Sequence, residues 1–315
     1  MTPASPAPRP RRSCHAVPAS SPRMIEKARD LDADLVFLDL EDSVAPDAKG
    51  AAREAVAEAL AAGGFRCPTL AVRVNPVDSP HCHRDVVRVV EAGRGGLDVI
   101  ILPKVEDASH VTFAGHLLAA LEAELGLPKG AIGLEAQIET ARGMCEVDRI
   151  AAACPGRLEA LVFGPGDYAA SLGMPQTTIG AQAEGYPGDV WHHALSRMVV
   201  AARAHGLQAV DGPFAAVRDA EGLRASAERA LALGLDGKWS IHPDQIPVLN
   251  AVFGVAPGAL AHAVAVRDAL ARAAAEGRGA AMLDGEMIDE ATRKMAEAVV
   301  RRARLAGIPV PDPAA

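Results

Sequence analysis

Between residues 13 and 243 the chain repeats one unit: a short apolar run that halts at a polar residue, then an Ala-rich stretch with helical spacing. Leu35-Val36-Phe37-Leu38-Asp39-Leu40 halts at Glu41-Asp42, and Thr69-Leu70-Ala71-Val72-Arg73-Val74 is broken by Asn75-Pro76. Residues 98–102 stop at Pro103-Lys104, 131–138 at Glu139, and 160–163 at Gly164-Pro165-Gly166-Asp167. Residues 208–210 stop at Asp211 and 238–241 at His242, while Ser13-Cys14-His15-Ala16-Val17-Pro18 makes a short opening strand. In the segments between, residues such as Ala52, Val56, Ala59 and Leu60 recur as they do on one face of a helix. Near-continuous apolar strands separated by helices mark a parallel sheet buried on both faces. About eight such units over roughly 250 residues predict an α/β fold, a TIM (β/α)8 barrel. A doubly wound open sheet would use the same units, but its Gly-rich dinucleotide turn is missing from the sequence.

The barrel is expected over residues 13–255. Residues 1–12 are rich in Pro, Ala and Arg and lack the apolar centre of a secretory signal, so they read as a disordered tail. Residues 256–315 change pattern: a long helix near 259–276, a hairpin turning at Asp284-Gly285, then Asp289 and a last helix. That segment is expected to be a helical lid or oligomerisation arm. No uninterrupted apolar run reaches the roughly 18 residues that would span a bilayer. A net charge of −8 argues against a general nucleic-acid binder but allows a local basic pocket for a phosphorylated cofactor. The five cysteines, Cys14, Cys67, Cys82, Cys145 and Cys154, form no C-x-x-C pair, and their odd number and scatter imply reduced thiols in a cytoplasm.

In a TIM barrel the C-terminal ends of the strands build the active site. Here those ends carry Asp39, Glu41, Asp42, Arg73, Lys104, Glu139, Asp167, Asp211 and His242. A ring of ionisable groups around one rim is hard to explain as solvated surface, because such groups are rarely buried unless paired or liganded. Glu139 and Asp167, at neighbouring strand ends, suit one hard cation such as Mg²⁺, which takes one or two carboxylates plus water and substrate. Taken alone, the two fragments are equally consistent with Glu139 capping the next helix and Asp167 sitting in a turn. Lys104, Asp211 and His242 either join the site or brace the rim. His81-Cys82-His83 has no second cluster and reads as a polar loop rather than a zinc site, and His192-His193 as structural.

At these residues the chain resembles the citrate lyase β-subunit-like CoA-ester lyases of the HpcH/HpaI aldolase superfamily. The resemblance rests on Leu38-Asp39-Leu40-Glu41-Asp42-Ser43-Val44-Ala45-Pro46 with Lys49, Val72-Arg73-Val74-Asn75 and Leu102-Pro103-Lys104-Val105. Ile138-Glu139-Thr140-Ala141-Arg142-Gly143 and Phe163-Gly164-Pro165-Gly166-Asp167 complete it, and it covers nearly everything after Arg12. Tyr186-Pro187-Gly188-Asp189-Val190-Trp191-His192, Asp211-Gly212-Pro213-Phe214, Gly237-Lys238-Trp239-Ser240-Ile241-His242-Pro243 and Gly285-Glu286-Met287-Ile288-Asp289 look most like malyl-, methylmalyl- or citramalyl-CoA lyases. Two features depart from the family. The first strand runs into Pro18-Ala19-Ser20-Ser21-Pro22 with Arg23 displaced, where a Pro-Gly turn is usual. His15 takes a position that is usually apolar.

The resemblance implies reversible cleavage of a 3-hydroxyacyl-CoA into acetyl- or propionyl-CoA and a 2-oxo acid such as glyoxylate or pyruvate. It implies Mg²⁺, with Mn²⁺ as a substitute, on Glu139 and Asp167, and coenzyme A as part of the substrate. Arg73 would stabilise the enolate, Glu41 and Asp42 would orient Arg73 and waters, and Asp289 would exchange the proton. Asp39, Lys49, Lys104, Gly166 and Arg23 would bind substrate. It also implies a homo-oligomer, trimeric or hexameric, whose arm covers a neighbour's site. The alternatives are a thioesterase or malate synthase-like activity on the same site, a pyruvate-type aldolase without CoA, and a non-autonomous citrate lyase β subunit acting on an acyl-carrier protein.

Overall fold

The apolar runs form strands buried along almost their whole length in a computed structural model, which describes residues 8–175, 177–183 and 185–311. They are β1 (Ser13–Pro18), β2 (Leu35–Asp39), β3 (Thr69–Arg73), β4 (Val99–Leu102), β5 (Gly133–Ile138), β6 (Leu158–Phe163), β7 (Gln208–Asp211) and β8 (Gly237–Ser240). Each pairs in parallel with the next, and β8 returns to β1, so the sheet closes into the expected barrel. The crossovers run through α1 (Pro22–Ala28), α2 (Lys49–Ala62), α3 (Cys82–Gly93) and α4 (Ala108–Leu125). They continue through α5 (Ala141–Cys145), α6 (Val147–Ala152), α7 (Pro165–Ser171), α8 (His192–Ala204) and α9 (Ala220–Ala232).

Side chains alternate across a strand, so every second residue points into the barrel. Cys14, Leu35, Phe37, Ala71, Val99, Ile101, Val162, Val210 and Trp239 fill it as one apolar cluster. A buried charge closes the N-terminal end. The fully buried Arg11 donates to Glu135 at 2.8 Å and Glu159 at 2.7 Å, and also to Gln208. Arg9 and Arg12 are held as well, by Asp98 and Asp34 at 2.7 Å each. The tail expected over residues 1–12 is therefore packed from Arg9 onward, because its arginines meet carboxylates far away in sequence; residues 1–7 lie outside the described residues.

The chain divides into two compact units, up to Asn250 and from Ala251. The division falls inside α10 (Gln245–Val252), a little ahead of the expected 255/256 boundary. In the second unit, α11 (Pro257–Ala275) packs on α12 (Glu290–Leu305) through Leu260, Ala263, Val266, Ala296, Val300 and Ala303. β9 (Ala281–Leu283) and β10 (Glu286–Ile288) form the expected hairpin, with φ of 50° at Asp284 and 86° at Gly285, as a type I′ turn requires. Within the stretch Gln245–Ala275 an 18-residue window has a mean hydropathy of 1.6, so the stretch is long and apolar enough to cross a bilayer by length and composition alone. It is broken at residues 253–256, and the apolar face of α11 is spent on α12.

Candidate active site

The C-terminal rim of the barrel holds a cavity of about 370 Å³ lined by Asp39, Asp42, Arg73, Gln137, Glu139 and Asp167 on its polar side. Each is set there by strand register. Asp39 and Arg73 end adjacent strands opposite one another, and Gln137 and Glu139 lie two residues apart at the end of β5.

Asp39 grips Arg73 with both oxygens, at 2.7 Å to Nε and 2.8 Å to Nη2. The remaining edge, Nη1, faces Glu41 at 3.2 Å and Gln137 at 3.4 Å. The guanidinium also lies 5.4 Å from the Trp239 ring and 6.0 Å from that of Phe37. Burial disfavours its charge, but Asp39, Glu41 and Glu139 more than offset this, so its pKa moves up and it stays cationic. Asp39 also accepts from the backbone N–H of Glu41 at 2.9 Å, folding the strand end into an Asx-type turn. Lys49 locks that turn from behind, donating to the Leu40 and Glu41 carbonyls at 2.8 and 2.7 Å.

The carboxylate of Glu139 is buried and doubly held: Oε1 accepts from the Lys104 backbone N–H at 2.7 Å and Oε2 from Gln137 Nε2 at 2.6 Å. Burial, reinforced by the nearby charge of Asp167, pushes its pKa up to about 8. The helix-capping alternative does not hold for Glu139, because Thr140 fills that position, its Oγ1 accepting from Gly143 N–H at 3.0 Å. Gly164 permits the close approach, since a Cβ there would fall 2.4 Å from the Cβ of Glu139. Asp167 lies in the first turn of α7, half out of the surface, and Lys104 Nζ sits 3.6 Å from it. Lys104 Nζ also pairs with the buried Glu41 and with Asp42 at 3.2 Å. Gly166 lines the cavity beneath Ile179.

Several sequence expectations shift in detail. Asp39, expected to bind substrate, spends its oxygens on Arg73 and the turn. Asp42, expected to orient Arg73, reaches Lys104 instead, while Glu41 touches both cations. Lys49 binds main-chain carbonyls and is not part of the cavity lining. Asp211 points away from the cavity into a buried pair with Lys238, so it braces the barrel. Asp289 is the N-cap of α12, accepting from Ala291 N–H at 2.9 Å and Thr292 N–H at 3.2 Å. Gln137 was missed. Its signal was the alternation Glu135, Gln137, Glu139, which puts three polar groups on one face of a strand.

Ala16, Pro18 and Ile241 are shared with a second cavity of about 510 Å³, where Arg23, Lys27 and His242 stand among Val17, Met24, Leu31 and Pro243. The unusual His15 opens onto it, with Nδ1 2.9 Å from Ser240 Oγ. Burial, with a contribution from His242, lowers its pKa to about 4, so it is neutral at physiological pH.

The profile of the HpcH/HpaI aldolase/citrate lyase family matches residues 12–243. The chain is 42% identical over 300 residues to an L-malyl-CoA/beta-methylmalyl-CoA lyase of Rhodobacter capsulatus, covering 92% of this chain and 94% of that one. It is 36% identical over 282 residues to a (3S)-malyl-CoA thioesterase of Cereibacter sphaeroides, covering 89% and 90%. Among solved structures it is similar to protein CitE from Mycobacterium tuberculosis in complex with magnesium, acetoacetate and coenzyme A. There the TM-score is 0.70 at 33% identity, covering 95% of this chain and 99% of that one.

Proposed function

The chain belongs to the HpcH/HpaI aldolase/citrate lyase family, and on that premise we propose that it is a carbon–carbon lyase acting on CoA esters. It cleaves a 3-hydroxyacyl-CoA of the malyl-, methylmalyl- or citramalyl-CoA class reversibly into acetyl- or propionyl-CoA and a 2-oxo acid. The observation that carries this reading is the convergence of Glu139, Asp167 and Arg73 on one cavity. The adjoining cavity, with Arg23 and Lys27 over an apolar floor, suits the phosphates and pantetheine arm of a CoA thioester.

The donor set fits Mg²⁺ or Mn²⁺. Two carboxylates meet, and no cysteine or histidine is in the cavity lining. Among the described residues no set of three or more His, Cys, Asp or Glu converges as ligands, which agrees with an ion that keeps water and substrate as its other partners. Glu139, held back from ionising by burial and by Asp167 even with Arg73 nearby, would gain from the further positive charge of a divalent cation. Glu139 and Asp167 would hold the ion, and when bound it supplies Lewis-acid polarisation of substrate oxygens.

The rest is work for the chain's own residues. Cleavage breaks the bond between the acyl carbon next to the thioester and the carbon bearing the hydroxyl. The hydroxyl loses its proton and becomes the carbonyl of the 2-oxo acid, while the bonding pair passes to the thioester as an enolate. Arg73, fixed by Asp39 and always charged, meets that oxygen with no reorganisation. Gln137 ties Arg73 to Glu139, so the two sides of the site keep one spacing. Asp289 is proposed to return the proton to the acyl carbon, carried by a neighbouring copy in a trimer or hexamer. The exposed Met282, Met287 and Met295 of the second unit, 66–72% accessible, support such a contact. Five free cysteines support a reducing compartment, the cytoplasm.

A thioesterase reading is kept because of the similar Cereibacter sphaeroides enzyme. One assay separates the two. Purified protein with Mg²⁺ is given malyl-CoA, and glyoxylate and free thiol are both followed. The lyase releases glyoxylate without thiol; thiol without glyoxylate would establish hydrolysis, and neither product, with methylmalyl-CoA and citramalyl-CoA equally inert, would reject both.

A further inference from the structure

Lys104 is a non-glycine residue in the left-handed region, with φ of 49°. A bulky side chain adopts that conformation only where the surroundings over-determine it, most often at functional sites. Here the conformation aims two groups of one residue at the same rim. The backbone N–H holds Glu139 Oε1 at 2.7 Å, while the ammonium sits among Glu41, Asp42 at 3.2 Å and Asp167 at 3.6 Å. Lys104 is thus the residue that touches both carboxylates of the proposed cation pair. Among the described residues no other cationic side chain lies within 4 Å of the Asp167 carboxylate.

We propose that Lys104 is a positioning residue that acts as a built-in counter-cation: its ammonium neutralises Asp167 and the Glu41–Asp42 edge in the metal-free protein, and a divalent ion takes over Asp167 by displacing it. The backbone half of the residue stays on Glu139, so that carboxylate is held in place whichever cation is present. Glu41 and Asp42 keep the displaced ammonium nearby. The arrangement trades metal affinity for an acidic rim that does not repel itself when empty, because a positive charge this close opposes an incoming divalent ion. Burial lowers the affinity of the amine for its proton, but Glu41, Asp42 and Glu139 outweigh this and hold Lys104 charged.

The inference rests on reading Glu139 and Asp167 as the cation pair, and the test keeps the two apart. Mg²⁺ is titrated calorimetrically into full-length wild type, Lys104→Met, Lys104→Arg and Glu139→Gln. Lys104→Met should bind Mg²⁺ about tenfold tighter or more, the effect of removing one nearby charge at surface-like dielectric. Lys104→Arg keeps the charge and should stay near wild type. In wild type alone, amine labelling read by mass spectrometry should modify Lys104 faster once Mg²⁺ is saturating, while the exposed Lys294 stays unchanged. This arm decides the matter if Lys104→Met does not fold. Equal affinities in wild type and Lys104→Met, or Lys104 labelling indifferent to Mg²⁺, would overturn the displacement. If Mg²⁺ binds wild type and Glu139→Gln alike, or neither, the cation pair fails and this inference with it.

Discussion

Asp39 and Arg73 stand opposite one another in the register of β2 and β3, and the carboxylate takes both Nε and Nη2 of the guanidinium, at 2.7 and 2.8 Å. Arg73 therefore has one fixed direction in which to meet an anion. Arg73→Lys keeps a charge but loses the fork, so kcat should fall about 100-fold or more, the scale of a lost oxyanion donor. Asp39→Asn leaves Arg73 in place but loosens its seat; kcat should fall by less, with KM little changed. Steady-state kinetics of the two variants checks the order, and a near-normal Arg73→Lys enzyme would remove Arg73 from the chemistry.

Metal dependence follows from the carboxylate pair. Glu139→Gln or Asp167→Asn should abolish turnover and Mg²⁺ binding. The metal-free Glu139→Gln protein should melt at or above the wild-type temperature, since it no longer buries a carboxylate that resists ionisation. Excess EDTA should silence the wild type. Full activity in EDTA would sink the assignment.

The raised pKa of Glu139 fixes the sign of a pH effect. From its ordinary value of 4.5 up to about 8 the folded chain holds a proton that the unfolded chain has lost. The stability contributed is complete below the ordinary value and disappears as pH rises through about 8. Mg²⁺ competes with that proton, so its affinity should climb with pH and level off above about 8, and below that its binding should release a proton. Calorimetry in buffers of different ionisation enthalpy counts the proton. A flat affinity from about pH 6 to about pH 9 would contradict the shift.

The barrel and its acidic rim were legible because strand ends in this fold converge whatever lies between them. The division of labour among the rim residues was not. Asp39 and Arg73 belong to different sequence units, and nothing local says that Asp39 faces its neighbour rather than a substrate. Glu135 and Gln137 were hidden in a run read as apolar, and only Glu139, where that run stops, stood out. Their two-residue period assigns them in turn to the floor with Arg11, to the bridge with Arg73 and to the rim. The Arg9–Arg12 end of the tail departed from expectation for the reverse reason: Pro, Ala and Arg look disordered until a guanidinium finds buried carboxylates more than a hundred residues away.

Arg11 yields a stability prediction with no direct effect on the rim. Removing it leaves Glu135 buried without its cation and Glu159 with Arg9 alone, at 3.3 Å, and breaking a buried ionic network from one side costs about 3–5 kcal/mol. Arg11→Met should lower the free energy of unfolding by that much while the folded fraction keeps its KM. Urea unfolding read alongside activity tests it, and a loss under about 1 kcal/mol would mean that water replaces the guanidinium.

Asp289 caps α12 in a capping box, with Thr292 Oγ1 accepting from its backbone N–H at 3.4 Å. That geometry separates its two roles. Asparagine caps a helix as well as aspartate but cannot carry a proton between pH extremes, whereas alanine does neither, and losing the cap costs about 1 kcal/mol. If the carboxylate is the proton donor of the proposed lyase, Asp289→Asn should retain the wild-type melting temperature and lose most of kcat. Asp289→Ala should lose both. If Asp289 only caps, Asp289→Asn should be fully active. Whether the residue serves its own barrel or a neighbour's is then read by complementation. Asp289→Asn and Arg73→Ala proteins, each nearly inactive, are mixed under conditions of verified subunit exchange. Arms working in trans bring an intact Asp289 to an intact Arg73 in a fraction of the sites, and activity returns to a corresponding fraction of wild type. No recovery after exchange would assign Asp289 to its own chain's site.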